Sequence, residues 1–281
     1  MEYLLLLAVL PVFLLCLFVY KKDVNKEPGK LLAKMFILGF FSAIPVVILE
    51  LVLGNYFSTD GVDNFFILFI NVFIGIALIE EGFKWLITKF FGYNNKAFDE
   101  VYDVIVYSVF ASLGFACIEN IMYVLNGGVG IAIMRAILSV PGHMCFGVIM
   151  GYFLSQAKVN QVNGNYSIYT RNILFSIIFP TLAHTIYDSL IFYAVAVNSI
   201  GAILLFLVLD IVMVVLCFIT VSKTSKIQKN IDDNVSSGVV VLNDNGILTY
   251  QNTKREINYC PVCGKYVKEF NYCPGCGFKI K

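Results

Sequence analysis

Apolar residues run in long blocks along this chain, divided by short polar links. Seven blocks reach the length of about 20 residues that a helix needs to cross a hydrocarbon core. They are 2–20, 31–54, 64–90, 101–125, 129–156, 172–197 and 200–221. The third, fifth and sixth are long, which predicts tilt or extension into the cytosol. After residue 221 the pattern turns polar and charged, and 223–237 reads as a linker. Two β-prone runs, 238–242 and 247–250, then flank an Asn-Gly turn signal and predict a hairpin. The chain divides into an all-α membrane domain (1–222), a linker (223–237) and a small β tail (238–281), with no internal repeat in the membrane part.

Composition agrees. Of 281 residues, 59% are hydrophobic and 14% charged, with a mean hydropathy of +0.80. A soluble domain carries roughly a quarter charged residues. The chain is therefore expected to be a polytopic membrane protein, surrounded by lipid and without a nucleic-acid partner. Its net charge of +1 says little, but the placement of charge says more. Lys21, Lys22, Lys26 and Lys30 follow the first block, Lys89 and Lys96 the third, Lys158 and Arg171 the fifth, and Lys223, Lys226 and Lys229 the seventh. The alternate links, 55–63, 126–128 and 198–199, contain neither Lys nor Arg. The positive-inside rule then predicts seven spans with the N-terminus outside and the C-terminus cytosolic. The first block has its lysines after it and no basic region before it, so it reads as a retained helix, not a signal peptide.

The tail ends in Cys260-Pro-Val-Cys263 and Cys273-Pro-Gly-Cys276. Two such knuckles offer four thiolates to one ion, a closed tetrahedral zinc shell of structural type. Disulfides are the alternative, disfavoured in the reducing cytosol. A unit this small needs such a staple. It resembles the zinc ribbons appended to bacterial membrane proteins, which implies regulation or a cytosolic protein partner. Cys16, Cys117, Cys145 and Cys217 lie in the spans and read as small packing residues.

Ionisable groups at membrane depth are costly, and each marks a candidate functional site. Glu80 and Lys84 of the third span lie one turn apart and should pair, while Glu81 points about 100° away. The alternative, Lys84 snorkelling at a helix end, leaves the second carboxylate unexplained. Glu119, after Phe115 in the fourth span, has no basic residue within a turn, so its partner must come from another helix. In the fifth span Pro141-Gly142 predicts an opened helix wall at His143, and Gly147 predicts close helix packing. Arg135 is expected to pair with a carboxylate such as Glu50 or to be structural. In the sixth span His184 and Asp188 share a face, where an acid fixes an imidazole tautomer, and Pro180 could open the helix. Counting from each membrane face puts Glu80, Glu81, His143, His184 and Asp188 near mid-depth, with Glu119 nearer the outside. Asp210 and Asn71 read as groups that hydrogen-bond between helices. For each residue alone a packing role is the bland alternative; together, carboxylates and imidazoles are the groups that activate water.

Four motifs stand in order on successive spans: Glu80-Glu81-x-x-Lys84, Phe115-x-x-x-Glu119, His143-x-x-x-Gly147 and His184-x-x-x-Asp188. This set resembles the PrsW family of intramembrane proteases, which is grouped with CAAX prenyl endopeptidases and bacteriocin-processing membrane enzymes. The resemblance covers the third to the sixth spans. It implies a multi-pass enzyme of the bacterial cytoplasmic membrane that hydrolyses a peptide bond of a single-span membrane protein. An anti-sigma factor, cut at site 1 to release a stress-response sigma factor, is the substrate the family suggests. By resemblance to the CAAX-type enzymes, Glu80 would be the general base, with Glu119 helping to hold the water. His184 with Asp188 would polarise the scissile carbonyl. Those enzymes carry a histidine at the position of Glu119, and His143 is the candidate to replace that imidazole.

Catalytic zinc is the rival within this reading, since two histidines and a glutamate suffice to hold it. The histidines lie on different helices and no His-Glu-x-x-His is present, so a metal-independent glutamate mechanism is favoured. Three readings come from other classes. A seven-helix receptor would match the topology only superficially, with very short external loops and its buried carboxylates unexplained. A proton- or metal-ion-coupled transporter would usually show duplicated halves. A non-catalytic scaffold would use the ribbon to hold its partner.

Overall fold

The computed structural model describes residues 2–235, 240–242 and 248–250. Its helices are α1 (Glu2–Lys22), α2 (Gly29–Leu53), α3 (Phe65–Val72), α4 (Leu78–Ile87), α5 (Asp103–Ile137), α6 (Ser139–Val162), α7 (Tyr166–Ala196) and α8 (Ile200–Val235). Two π-helical turns, Phe73–Ala77 and Thr88–Tyr93, make one rod of 65–93. Strands β1 (Val240–Leu242) and β2 (Leu248–Tyr250) pair antiparallel, with Val240 opposite Tyr250. Cys260, Cys263, Cys273 and Cys276 lie outside the described residues.

Among the described residues, six helical segments are long and apolar enough to cross a membrane. One of them, 103–162, is 60 residues long and folds back on itself. The reversal begins at Gly128, whose φ of 72° is a left-handed value that glycine reaches without a Cβ penalty. Beyond it α5 continues as an arm, 129–137, before α6 starts. α6 then runs antiparallel to α5. Ser108 Oγ donates to Gly147 O and Ser112 Oγ to His143 O, each at 2.7 Å. Pro141 falls in the first turn of α6, where no helix bond needs its missing N–H. The opened wall expected at Pro141-Gly142 is therefore not found, and α7 likewise continues through Pro180.

α5 is the axis on which α1, α2 and α6 pack. A Cβ on Gly39 would stand 2.0 Å from Ala111 O, and one on Gly114 2.1 Å from Phe36 O. Only hydrogen fits at that crossing, so the two backbones touch. Large apolar side chains such as Leu6, Phe13, Ile44, Leu51 and Leu204 point outward, as hydrocarbon surroundings require. Cys16, Cys117, Cys145 and Cys217 are buried free thiols in packing positions. The stretch expected as a linker is helical to Val235, since no glycine or proline interrupts 222–235.

Candidate functional site

The π turn Phe73–Ala77 stands just before the acidic pair. It holds more residues than an α turn and so rotates those that follow onto a new face. Glu80, Glu81 and Lys84 all end up buried, Glu81 and Lys84 at 0% exposure. Lys84 Nζ donates to Glu80 Oε2 at 2.9 Å, to Glu81 Oε1 at 2.8 Å and to His143 Nδ1 at 3.1 Å. An ammonium has three protons and no lone pair, so Lys84 is saturated and His143 Nδ1 is the acceptor. His143 Nε2–H then donates to Glu119 Oε2 at 2.7 Å. The expected Glu80–Lys84 pair is present, and Glu81, expected to point away, binds the same ammonium.

His184 closes the far side. Its Nδ1 lies 3.1 Å from Glu81 Oε1 and 4.0 Å from Glu80 Oε2, and its Nε2 lies 3.2 Å from Asp188 Oδ2. The Phe146 ring stacks on it at 4.7 Å and fixes the imidazole plane. The two imidazole rings are 5.6 Å apart. α4, α5, α6 and α7 thus bring Glu80, Glu81, Lys84, Glu119, His143, His184 and Asp188 into one network.

Other expectations need correction. Arg135 pairs with Glu119 Oε2 at 2.9 Å, not with Glu50. The arm beyond Gly128 folds back and carries Arg135 to that acid. Arg135 Nε donates to Asn120 Oδ1 at 2.9 Å, and the Asn120 amide donates to Ala8 O at 2.7 Å. Asn71 donates to Ser58 O in the α2–α3 link, not across helices. Asp210 borders a groove among α6, α7 and α8 with a buried, unpartnered Oδ1. Sequence reasoning missed Asn120 and Phe146 as members of the site, and named Glu50 only as a partner for Arg135, not as a group lining the cavity. Only Glu50, a lone acid in an apolar run, carried a signal.

A cavity of about 650 Å³ opens over the network, bordered by Glu50, Glu80, Glu119, His143, His184 and Asp188 and reaching the link at 58–60. Glu80 turns Oε2 toward Lys84 and His184, which leaves Oε1 for the cavity. Glu81 and Lys84 are sealed behind it.

A metal fits these residues. Glu80, Glu81 and His184 each offer a ligand atom within 4.8 Å of the others. Glu81 Oε2 is buried without a hydrogen-bond partner. Asp188 holds the far nitrogen of His184, as carboxylates do for ligating imidazoles. Three such side chains leave a coordination position open for water.

No solved structure matches the chain. The family model described as PrsW family intramembrane metalloprotease matches residues 27–220. Protease PrsW of Oceanobacillus iheyensis is 38% identical over 181 residues, 64% of this chain and 79% of that protein. Protease PrsW of Bacillus subtilis is 34% identical over 175 residues, 62% of this chain and 76% of its own length. Protease PrsW of Clostridioides difficile is 32% identical over 188 residues, 65% and 76% of the two chains. The matched residues contain the whole acid–imidazole network and stop short of the tail. The chain belongs to the PrsW family of intramembrane metalloproteases and is a peptidase, a multi-pass protein of the bacterial cytoplasmic membrane.

Proposed function

We propose that this peptidase cuts a membrane-anchored, single-span protein at the wall of the cavity bearing Glu80, with an anti-sigma factor as the substrate class. The division of labour within the acidic pair carries the reading: Glu80 faces the cavity, and Glu81 is sealed against Lys84 and His184. Glu80 Oε1 takes a proton from the attacking water as its oxygen bonds to the scissile carbonyl carbon. The same proton then passes to the peptide nitrogen as the C–N bond breaks and the amine leaves. Lys84 holds Glu80 in place, and Asp188 and Phe146 fix the His184 ring beside it. Glu119, bridged to His143 and Arg135, braces the opposite wall. A divalent metal held by Glu80, Glu81 and His184 would acidify the water and polarise the carbonyl. The family description thus shifts the balance from the metal-independent mechanism favoured by sequence to a metal-assisted one.

The fold-back at Gly128 and the lysine-bearing alternate links support seven crossings, N-terminus outside, with the ribbon and its cytosolic partner inside. The test is cleavage of a panel of single-span substrates by purified protein in lipid. Glu80→Gln and His184→Ala should lose cleavage while staying folded. Equal cleavage by wild type and both variants sinks the proposal and favours a transporter or scaffold. Chelation should stop cleavage and zinc restore it, equally in a Cys260→Ser, Cys273→Ser variant whose ribbon cannot hold zinc.

A further inference from the structure

The α1–α2 link and the turn that opens α5 gather five carboxylates on the lysine-rich side: Asp23, Glu27, Asp99, Glu100 and Asp103. They form two triads, Asp23–Glu100–Asp103 and Glu27–Asp99–Asp103, each with one oxygen per residue within 4.8 Å of the others. Asp103 belongs to both and is 0% exposed. Its Oδ2 accepts the backbone N–H of Asp99 at 3.0 Å and of Glu100 at 2.7 Å, while its Oδ1 is buried and unpartnered. Asp23 repeats the pattern at 3% exposure. Its Oδ2 accepts the Glu27 N–H at 3.1 Å, and its Oδ1 is buried without a partner. Glu27 is buried as well and accepts the Tyr107 hydroxyl.

Basic side chains only partly neutralise this cluster: the Lys26 ammonium favours the charge of Asp23, but burial outweighs it. Among the described residues, none of Asp23, Glu27 and Asp103 has an ion pair with a lysine or arginine. Lys26, in the same link, spends its protons on the main-chain carbonyls of Tyr20, Lys21 and Asp23. Buried carboxylates this close are costly to ionise unless a positive charge joins them. Burial pushes the Asp23 and Glu27 carboxyls above their ordinary range. Oxygen lone pairs without donors are what a cation takes up, and an all-oxygen set of carboxylates suits a hard one.

We propose that Asp23, Glu27 and Asp103, with Asp99 and Glu100 at the rim, bind a hard divalent cation, magnesium or calcium. The site is separate from the active site: Glu119 stands sixteen positions beyond Asp103 on α5, about 24 Å of helix. The cation would clamp the α1–α2 link to the start of α5, the axis of the fold.

Terbium luminescence tests this on the full chain in phosphatidylcholine nanodiscs, with the ion sensitised through Tyr107, and in a Glu80→Gln, His184→Ala background that disables the other centre. We expect a saturable signal displaced by calcium or magnesium, weakened about ten-fold or more by Asp103→Asn as one charged ligand is lost. Either ion at constant ionic strength should also raise the unfolding midpoint of wild type and not of Asp103→Asn. If Asp103→Asn does not fold, Asp23→Asn takes its place with the same readings. No saturable signal from folded protein, or one indifferent to both substitutions, overturns the proposal and leaves a cluster neutralised by protons.

Discussion

Lys84 gives each of its three protons to a different residue, Glu80, Glu81 and His143. Removing it by Lys84→Met strands two carboxylates in an apolar interior, which costs about 3–5 kcal/mol. Thermal unfolding should show that loss together with loss of cleavage. Glu80→Gln should behave differently, because Glu80 borders the cavity. Its midpoint should stay near wild type while turnover falls by about 10²–10⁴-fold, the scale of a lost general base. Asp23 makes a pH prediction. Burial raises its folded pKa, so between the ordinary value and the raised one the folded chain binds more protons than the unfolded chain. Stability then rises as pH falls through that window and drops as pH climbs. In chelator, Asp23→Asn should therefore unfold later than wild type near neutrality, with the gap closing toward about pH 4. The pairs Glu80–Lys84 and His184–Asp188 were legible in the sequence because one helical turn fixes who meets whom. Arg135 was not, because its acid, Glu119, is sixteen residues back on α5 and is reached only through the fold-back at Gly128, which spacing does not show.

Elements add constraints that no single side chain shows. The crossing of α2 and α5 rests on Gly39 and Gly114, each facing a carbonyl oxygen of the other helix at near-contact. Gly39→Ala or Gly114→Ala should push the helices apart and cost about 1–3 kcal/mol, the range for overpacked cores. Gly130→Ala has open space around its Cβ and should leave the unfolding midpoint unchanged. Apolar blocks foretold where the long helices lie, since only a helix satisfies its own backbone in hydrocarbon. They did not foretell the π turns, which keep the same hydrophobic composition while shifting the helical phase just before the acidic pair. Nor did they place Pro141 in a first turn: the start of α6 depends on where the chain folds back at Gly128.

For the molecule as a whole, charge at the links and apolar length at the spans carried most of what sequence could say. Depth counting brought Glu80, Glu81, His143, His184 and Asp188 to one level and left Glu119 nearer the outside, and only the packing of α4 and α6 on α5, with α7 on α6 and α4, joins them. From there one chain of hydrogen bonds and ion pairs can be traced: Ala8 to Asn120, Arg135, Glu119, His143, Lys84, Glu81, His184 and Asp188. It starts on α1, a helix without chemistry of its own, whose outer face touches lipid. A helix adjusts its tilt to the thickness of the bilayer, and any tilt of α1 pulls on the Ala8 carbonyl. Cleavage should therefore vary with acyl-chain length, and Asn120→Ala, which cuts the tether, should flatten that dependence in matched vesicles. The first helix would then act as a gauge by which the enzyme feels the mechanical state of the membrane in which it works.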